Sequence, residues 1–134
     1  MTFHSLNVWA ILVSASSAFV VGGLWYPPLL FGTAWKRANR FAGGEPPAPT
    51  AKVFAISFAL TLVMAFNLAM FLHDPKTNLA WGATAGFLAG FGWVAMGIGV
   101  VSLFEQRPWT YVFINGGYLT VALVLMGAIL GGWH

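Results

Sequence analysis

Long apolar stretches alternate with short polar segments along this chain. Four stretches reach the roughly 20 residues that a helix needs to cross the hydrocarbon core of a membrane, and they cover residues 6–26, 51–72, 78–104 and 108–133. Their interiors contain no charged side chain, and their hydrophobic periodicity is weak, as in helices that face both lipid and other helices. The pattern predicts an all-α integral membrane four-helix bundle, with residues 1–134 forming one transmembrane domain.

Residues that start or stop helices lie at the ends of these stretches. Thr50 and Asn78 suit N-cap positions, where a side-chain oxygen accepts a backbone N–H. Pro27 and Pro28 end the first stretch because proline lacks the N–H and clashes with the preceding turn. Pro108 fits the first turn of the last helix, where the missing N–H does no harm.

The first connection is long, and its early part predicts an amphipathic helix over residues 28–42. At about 100° per residue, its aromatic and small residues fall on one side and its basic residues on the other, which is typical of a helix lying in the membrane interface. The residues predicted to contact the lipid surface are Trp35, Lys36, Arg37 and Arg40. An irregular loop with basic side chains reaching the interface is the alternative.

Basic residues predict the orientation, because cytoplasmic loops carry an excess of lysine and arginine. One side of the membrane holds five of the six basic residues, namely Lys36, Arg37, Arg40, Lys52 and Arg107. Only Lys76 lies on the other side. We therefore expect a multi-pass protein of the bacterial inner membrane with both termini in the periplasm. Among the tryptophans, Trp93 alone is predicted near the middle of the membrane.

The composition supports lipid as the solvent of this chain. Hydrophobic residues make up 59% of it and charged residues 7%, against about 25% charged residues in a soluble domain. The net charge of +3 comes mostly from one connection, which fits anionic lipid headgroups better than nucleic acid. The absence of cysteine excludes disulfides and thiolate metal sites.

Small residues recur at every fourth position on three spans, and such residues let membrane helices approach each other closely. The predicted packing positions are Ala10, Ser14, Ala18 and Gly22 on the first span, Gly82, Gly86 and Gly90 on the third, and Gly127 and Gly131 on the fourth. Contact within the bundle and contact between copies both fit this pattern.

Polar and aromatic residues gather at the predicted cytoplasmic end of the bundle. They form the best candidate for a small-molecule or headgroup pocket and comprise Trp25, Tyr26, Glu105, Arg107, Asn115 and Tyr118. For Asn115, an interhelical hydrogen bond is favoured over a ligand contact. The spans lack the interior charges that mark ion or proton traffic. No side-chain arrangement suits nucleophilic catalysis, so we assign no catalytic residue.

Three histidines, His4, His73 and His134, map to the predicted periplasmic side. Imidazoles bind Zn²⁺ or a haem or chlorophyll metal, which makes these residues weak candidates for metal ligands. Two of the three lie at chain ends, where solvated side chains are usual, and this interpretation is favoured. We therefore expect neither a metal site nor a cofactor.

Several segments together resemble a known family. Asn7-Val8-Trp9 opens the first span, and Leu125–Gly131 lies near the end of the last. The most specific segments are Trp25-Tyr26-Pro27 and Asn115-Gly116-Gly117-Tyr118. The chain resembles, over nearly its whole length, the bacterial family catalogued as domain of unknown function 1761. Members of that family often have serine at position 27 and glycine at position 106. The resemblance implies four spans and leaves the activity open.

Three functional hypotheses follow. The favoured one is a non-enzymatic accessory subunit that packs against a larger membrane complex, lipids or pigments, with membrane lipids and other subunits or further copies as partners. The alternative is a homo-oligomeric channel or carrier for a neutral or lipophilic molecule, with Asn7, Asn67 and Asn115 along its path. A membrane enzyme acting on lipid or quinone near Glu105, Arg107 and Tyr118 is least favoured, because that region has no general base with a pKa near neutrality.

Overall fold

The computed structural model describes residues 6–25 and 50–134. These ranges contain no strand and form four helices, which are α1 (Val8–Trp25), α2 (Ala51–Phe71), α3 (Leu79–Phe104) and α4 (Trp109–Gly132). All four are long and apolar enough to cross a membrane. The prediction of an all-α, four-span membrane protein is therefore confirmed.

Some predicted features lie outside the described residues. They are the amphipathic helix over residues 28–42 with its lipid-surface residues Trp35, Lys36, Arg37 and Arg40, the pocket residue Tyr26, and the histidine His4.

Two helices, α2 and α3, begin at the caps that the sequence predicts. The Thr50 side chain accepts a hydrogen bond from the N–H of Val53 at 3.4 Å, and the Asn78 side chain accepts one from the N–H of Trp81 at 2.8 Å. Pro108 takes the N-cap position of α4, one residue earlier than the first turn. Residues 105–108 connect α3 to α4 at one end of the bundle, and residues 72–78 connect α2 to α3 at the other. These are called the 105–108 end and the 72–78 end below.

The closest helix contact joins α3 to α4 through glycines. A Cβ placed on Gly82 would overlap the carbonyl oxygen of Gly127, and a Cβ placed on Gly127 would overlap that of Gly82. Gly86 lies in the same way against the backbone of Leu123, and Gly131 lies against Gly82. Backbone meets backbone along this line, so any side chain larger than hydrogen would force the helices apart.

A π-helical segment, Gly90–Ala95, interrupts α3 near its middle. Gly90 lies against the backbone of Thr120, and Ala95 packs against Gly116, both on α4. In a regular α-helix, a residue five positions after Gly90 would point about 140° away from it. The wider i→i+5 turn accommodates the extra residue and keeps Ala95 on the α4 side. The π segment therefore extends the α3–α4 contact into the second half of α3.

Small residues also bring α1 onto the bundle. Ala10, Ser14 and Ala18 are 0%, 0% and 2% exposed, and the core around them is completed by residues of α2 and α4 such as Ala65 and Met126. The Ser14 hydroxyl has no hydrogen-bond partner among the described residues, so it acts there as a small side chain. Because α2 packs mainly on α1, a groove stays open between α2 and α3.

α3 ends in a Schellman motif. The N–H of Gln106 donates to the carbonyl of Leu103 at 3.2 Å, and the N–H of Arg107 donates to the carbonyl of Ser102 at 2.9 Å. This motif holds Gln106 at a φ of 59°, a left-handed conformation in which glycine is the usual residue. A residue with a Cβ is strained there by about 1 kcal/mol or more.

The glycine contact predicts opposite effects of two alanine substitutions on α3. Gly82→Ala should lower the free energy of unfolding by about 1–3 kcal/mol, because the added methyl group pushes two backbones apart. Gly97→Ala is the matched control, since a Cβ there meets nothing within 4 Å. It should raise stability by about 0.5–1 kcal/mol through the lower backbone entropy of alanine. Thermal unfolding in one detergent measures both, and equal shifts would contradict the close contact.

The left-handed turn predicts a stabilising substitution. Gln106→Gly should raise the free energy of unfolding by about 1 kcal/mol, because glycine adopts this φ without a Cβ clash. Gln106→Ala keeps the Cβ and should change stability much less. The melting temperatures of the three proteins in the same detergent check this, and no gain for the glycine variant would refute the strain.

Candidate functional site

Trp25, the last residue of α1, fastens that helix to α4 at the 105–108 end. Its indole Nε1–H donates a hydrogen bond to the carbonyl oxygen of Ile114 at 2.8 Å. The ring lies against Gly117, where an added Cβ would be 3.0 Å from the ring atom Cζ2. Gly117 therefore provides the space that the indole needs to reach the Ile114 carbonyl.

Tyr118 makes a second link between the same two helices. Its hydroxyl donates to the carbonyl oxygen of Ala18 at 3.2 Å. Its ring lies beside Gly22, where an added Cβ would be 3.3 Å from the ring. Trp25 thus reaches from α1 to a carbonyl of α4, and Tyr118 reaches from α4 to a carbonyl of α1. We call these two links, with Gly22 and Gly117, the α1–α4 junction.

Asn115 and Gly116, which come just before Gly117 and Tyr118 on α4, have other contacts. Gly116 packs against Ala95 of the π segment, where an added Cβ would be 3.0 Å from the Ala95 Cβ. The Asn115 amide donates to the carbonyl oxygen of Tyr111 at 3.1 Å, one turn earlier on α4. Gly116 therefore contacts α3, while Gly117 and Tyr118 contact α1. This four-residue segment is where three helices meet.

The charged residues of the predicted pocket lie farther out. Glu105 is exposed, and the Arg107 guanidinium lies over the ring of Tyr111 with its carbon 5.3 Å from the ring centroid. Of the six predicted pocket residues, the structure thus brings Trp25 and Tyr118 into the α1–α4 junction and places Asn115 beside it. Glu105 and Arg107 lie in the connection at the 105–108 end of the bundle.

The 72–78 end brings two of the three histidines together. His73 and His134 line one small cavity, about 10 Å³ in volume, together with Asn7. That volume is enough for about one water molecule. The His134 Nε2 lies 2.8 Å from the carbonyl oxygen of Thr77, and the Asn7 amide donates to the carbonyl of Trp133 at 3.5 Å. Within residues 6–25 and 50–134, no group of three acidic, histidine or cysteine side chains could hold a metal ion.

A larger groove lies on the membrane face between α2 and α3 and encloses about 490 Å³. We call it the α2–α3 groove, and its lining consists of Leu68, Phe71 and Leu72 from α2 and of Trp81, Ala85, Leu88, Ala89 and Trp93 from α3. Trp93 lies twelve positions after Trp81, which is about 18 Å along a helix axis. The groove therefore reaches from the 72–78 end to about the middle of a hydrocarbon core roughly 30 Å thick.

Sequence reasoning assigned no role to this groove. One signal was available, because Ala85, Ala89 and Trp93 follow each other at four-residue spacing and so share one face of α3. Two small residues beside a tryptophan in the middle of the membrane leave a hollow with an aromatic wall. The contribution of α2 to that hollow depends on the distance between α2 and α3, which cannot be predicted from the residue pattern.

Comparison with known families bears on this arrangement. A family model described as "Protein of unknown function (DUF1761)" matches residues 9–131. The chain belongs to the DUF1761 family. Neither the curated proteins nor the solved structures contain a match to it.

In this DUF1761 protein, Trp25 of the first segment that carries the family resemblance contacts the second segment. Trp25 belongs to the first segment, and its ring lies on Gly117 of the second. Its hydrogen bond goes to Ile114, the residue just before Asn115. The α1–α4 junction therefore gives Trp25 and the second segment a packing function.

The junction predicts the effect of removing its hydrogen bonds. Trp25→Phe and Tyr118→Phe should each lower the free energy of unfolding by about 1 kcal/mol, because a half-buried donor is lost while an aromatic ring remains. Trp9→Phe is the control, since Trp9 is 70% exposed on the same helix as Trp25, and should have little effect. Thermal unfolding in detergent measures all three, and equal melting temperatures for the Trp25 and Trp9 variants would argue against the junction.

Proposed function

We propose that this DUF1761 protein is a non-enzymatic accessory subunit, which holds a hydrocarbon tail in its α2–α3 groove and packs beside a larger membrane complex. On the distribution of lysine and arginine, we place it in the bacterial inner membrane with both termini in the periplasm. The α2–α3 groove is the observation that carries the proposal.

The dimensions of the groove favour a hydrocarbon tail over a helix. The groove runs along about 18 Å of α3, and all of its empty space together amounts to about 980 Å³. A helix with its side chains is about 10 Å across, so an 18 Å length of it occupies on the order of 1,400 Å³ and exceeds this space. A single extended lipid chain is the apolar component of a membrane that is narrow and long enough to fill this space.

The ends of the groove are suited to such a tail. Trp81 lies in the first turn of α3, at the depth where indole rings favour the boundary between headgroups and hydrocarbon. The connection just before it carries Lys76, an exposed cation at the height of lipid headgroups. Deeper in the membrane, Leu88 and the Trp93 indole line the groove with mostly apolar surface. These surfaces match a lipid whose polar head lies at the 72–78 end and whose tail lies along the α2–α3 groove.

The polar residues of the spans give less support to the channel or carrier alternative. The Asn7 side chain caps α1 by accepting from the N–H of Ala10 at 3.1 Å, and the Asn115 amide donates to Tyr111 on its own helix. The Asn7 amide also donates to the carbonyl of Trp133, so both side chains have hydrogen-bond partners within the bundle. This arrangement favours packing over conduction.

Native mass spectrometry after mild detergent extraction tests the tail site. The wild-type protein should retain a bound lipid, and Ala89→Phe should lose most of it, because the added ring fills the α2–α3 groove. Val100→Phe is the matched control, since Val100 lies on the same helix, is 56% exposed and does not line the groove. Equal lipid retention by the two variants would contradict the tail site.

Purification from the native membrane tests the accessory role separately. The tagged wild-type protein should bring down defined partner subunits in a constant ratio, and Ala89→Phe should lower their recovery while Val100→Phe does not. Recovery of the protein without partners, across several mild detergents, would refute the accessory role.

A further inference from the structure

One face of α2 is turned away from the rest of the bundle. Its residues are spaced three, four, three and four positions apart and comprise Val53, Ile56, Leu60, Val63 and Asn67. The four aliphatic side chains are 50–62% exposed, and Asn67 is exposed as well. We call this face the α2 seam.

The spacing of the α2 seam is that of a coiled-coil interface. Alternating steps of three and four residues place Val53, Leu60 and Asn67 at a positions and Ile56 and Val63 at d positions of a heptad. At 100° per residue, the centre of the seam lies about 150° from the buried side of α2. The side of the helix that contacts α1 is therefore distinct from the seam, and the packing of the described residues leaves the seam uncovered.

Asn67 indicates what covers the seam. Its side chain has no hydrogen bond within residues 6–25 and 50–134. It lies four residues before the end of α2, about 6 Å along the axis, and so within the hydrocarbon region. Hydrocarbon offers no partner to an amide, and an unsatisfied polar group is costly there.

A second copy of this chain can supply the missing partner. A carboxamide has both a donor and an acceptor, so two asparagines related by a two-fold axis can satisfy each other. Both copies enter the membrane in the same direction, and this places the two Asn67 side chains at the same depth. Lys52 takes a g position, which in a parallel pair faces an e position, and that position is occupied by the uncharged Ser57.

We propose that the α2 seam binds a second copy of this chain in a parallel two-fold dimer, in which the two Asn67 amides pair across the axis. This inference does not rest on the proposed function, because the α2 seam and the α2–α3 groove are lined by different residues of α2.

Single-cysteine crosslinking tests the dimer cleanly, because the chain has no cysteine of its own. In membranes under mild oxidation, Ile56→Cys, Leu60→Cys and Val63→Cys should form disulfide-linked dimers, since a and d positions face their counterparts across a parallel seam. Phe54→Cys and Ala55→Cys are the matched controls, as both positions are exposed on α2 outside the seam, and should stay monomeric. Absence of crosslinks at the seam, or equal crosslinking at the control positions, would overturn the proposal.

Removal of the amide tests the role of Asn67. Asn67→Leu should weaken dimerisation roughly 3- to 30-fold, which is the range expected for the loss of a hydrogen bond between membrane helices. Asn67→Gln keeps the donor and the acceptor and should restore most of the affinity. Energy transfer between labelled copies in liposomes gives the dissociation constants. A dimer of unchanged affinity in Asn67→Leu would refute the amide pair, and failure of Asn67→Gln to recover affinity would do the same.

Discussion

The backbone contact between Gly82 and Gly127 is the constraint on which the rest of the structure depends. Water does not drive membrane helices together once they are inserted, so their association relies on close packing and on hydrogen bonds. By bringing α3 and α4 to backbone distance, the glycines provide the closest packing in this bundle. α4 then becomes the central helix, with α3 on one side and α1 on the other. The α1–α4 junction and the π segment both contact α4, whose position beside α3 is fixed by the glycine contact.

Much of this fold could be predicted from the sequence, for physical reasons that differ from residue to residue. The four spans follow from apolar length, and the caps at Thr50 and Asn78 follow from side chains that bond to their own backbone. The small residues at every fourth position indicate helix faces that allow close approach. Which helix approaches Gly82 could not be predicted, because a glycine has no side chain that would select a partner. The bond from Trp25 to Ile114 could not be predicted, because a backbone carbonyl is present at every position. The π segment and the α2–α3 groove arise only from how whole helices fit together.

The Asn-Gly-Gly-Tyr segment shows how packing can resemble a binding site in sequence. A polar side chain, two glycines and a tyrosine in the middle of an apolar helix suggest a ligand that comes close to the backbone. In the structure, the close groups are Ala95 on α3 and the Trp25 indole on α1. The distinctive residues of this DUF1761 protein therefore include ones that hold its own helices. The surfaces that face the membrane, the α2–α3 groove and the α2 seam, are built mostly from common aliphatic and aromatic residues.

The π segment in α3 has a consequence for how sequences of this kind are aligned. A gap inside a transmembrane helix is usually treated as an alignment error, because one inserted residue would rotate everything after it by about 100°. The turn at Gly90–Ala95 already accommodates one extra residue without such a rotation. A homologue one residue shorter at this point could keep the same faces by forming a regular α-helix there. A single-residue gap within positions 90–95 would then be a structural feature, and an alignment that moved it into a connecting loop would shift half of a span out of register.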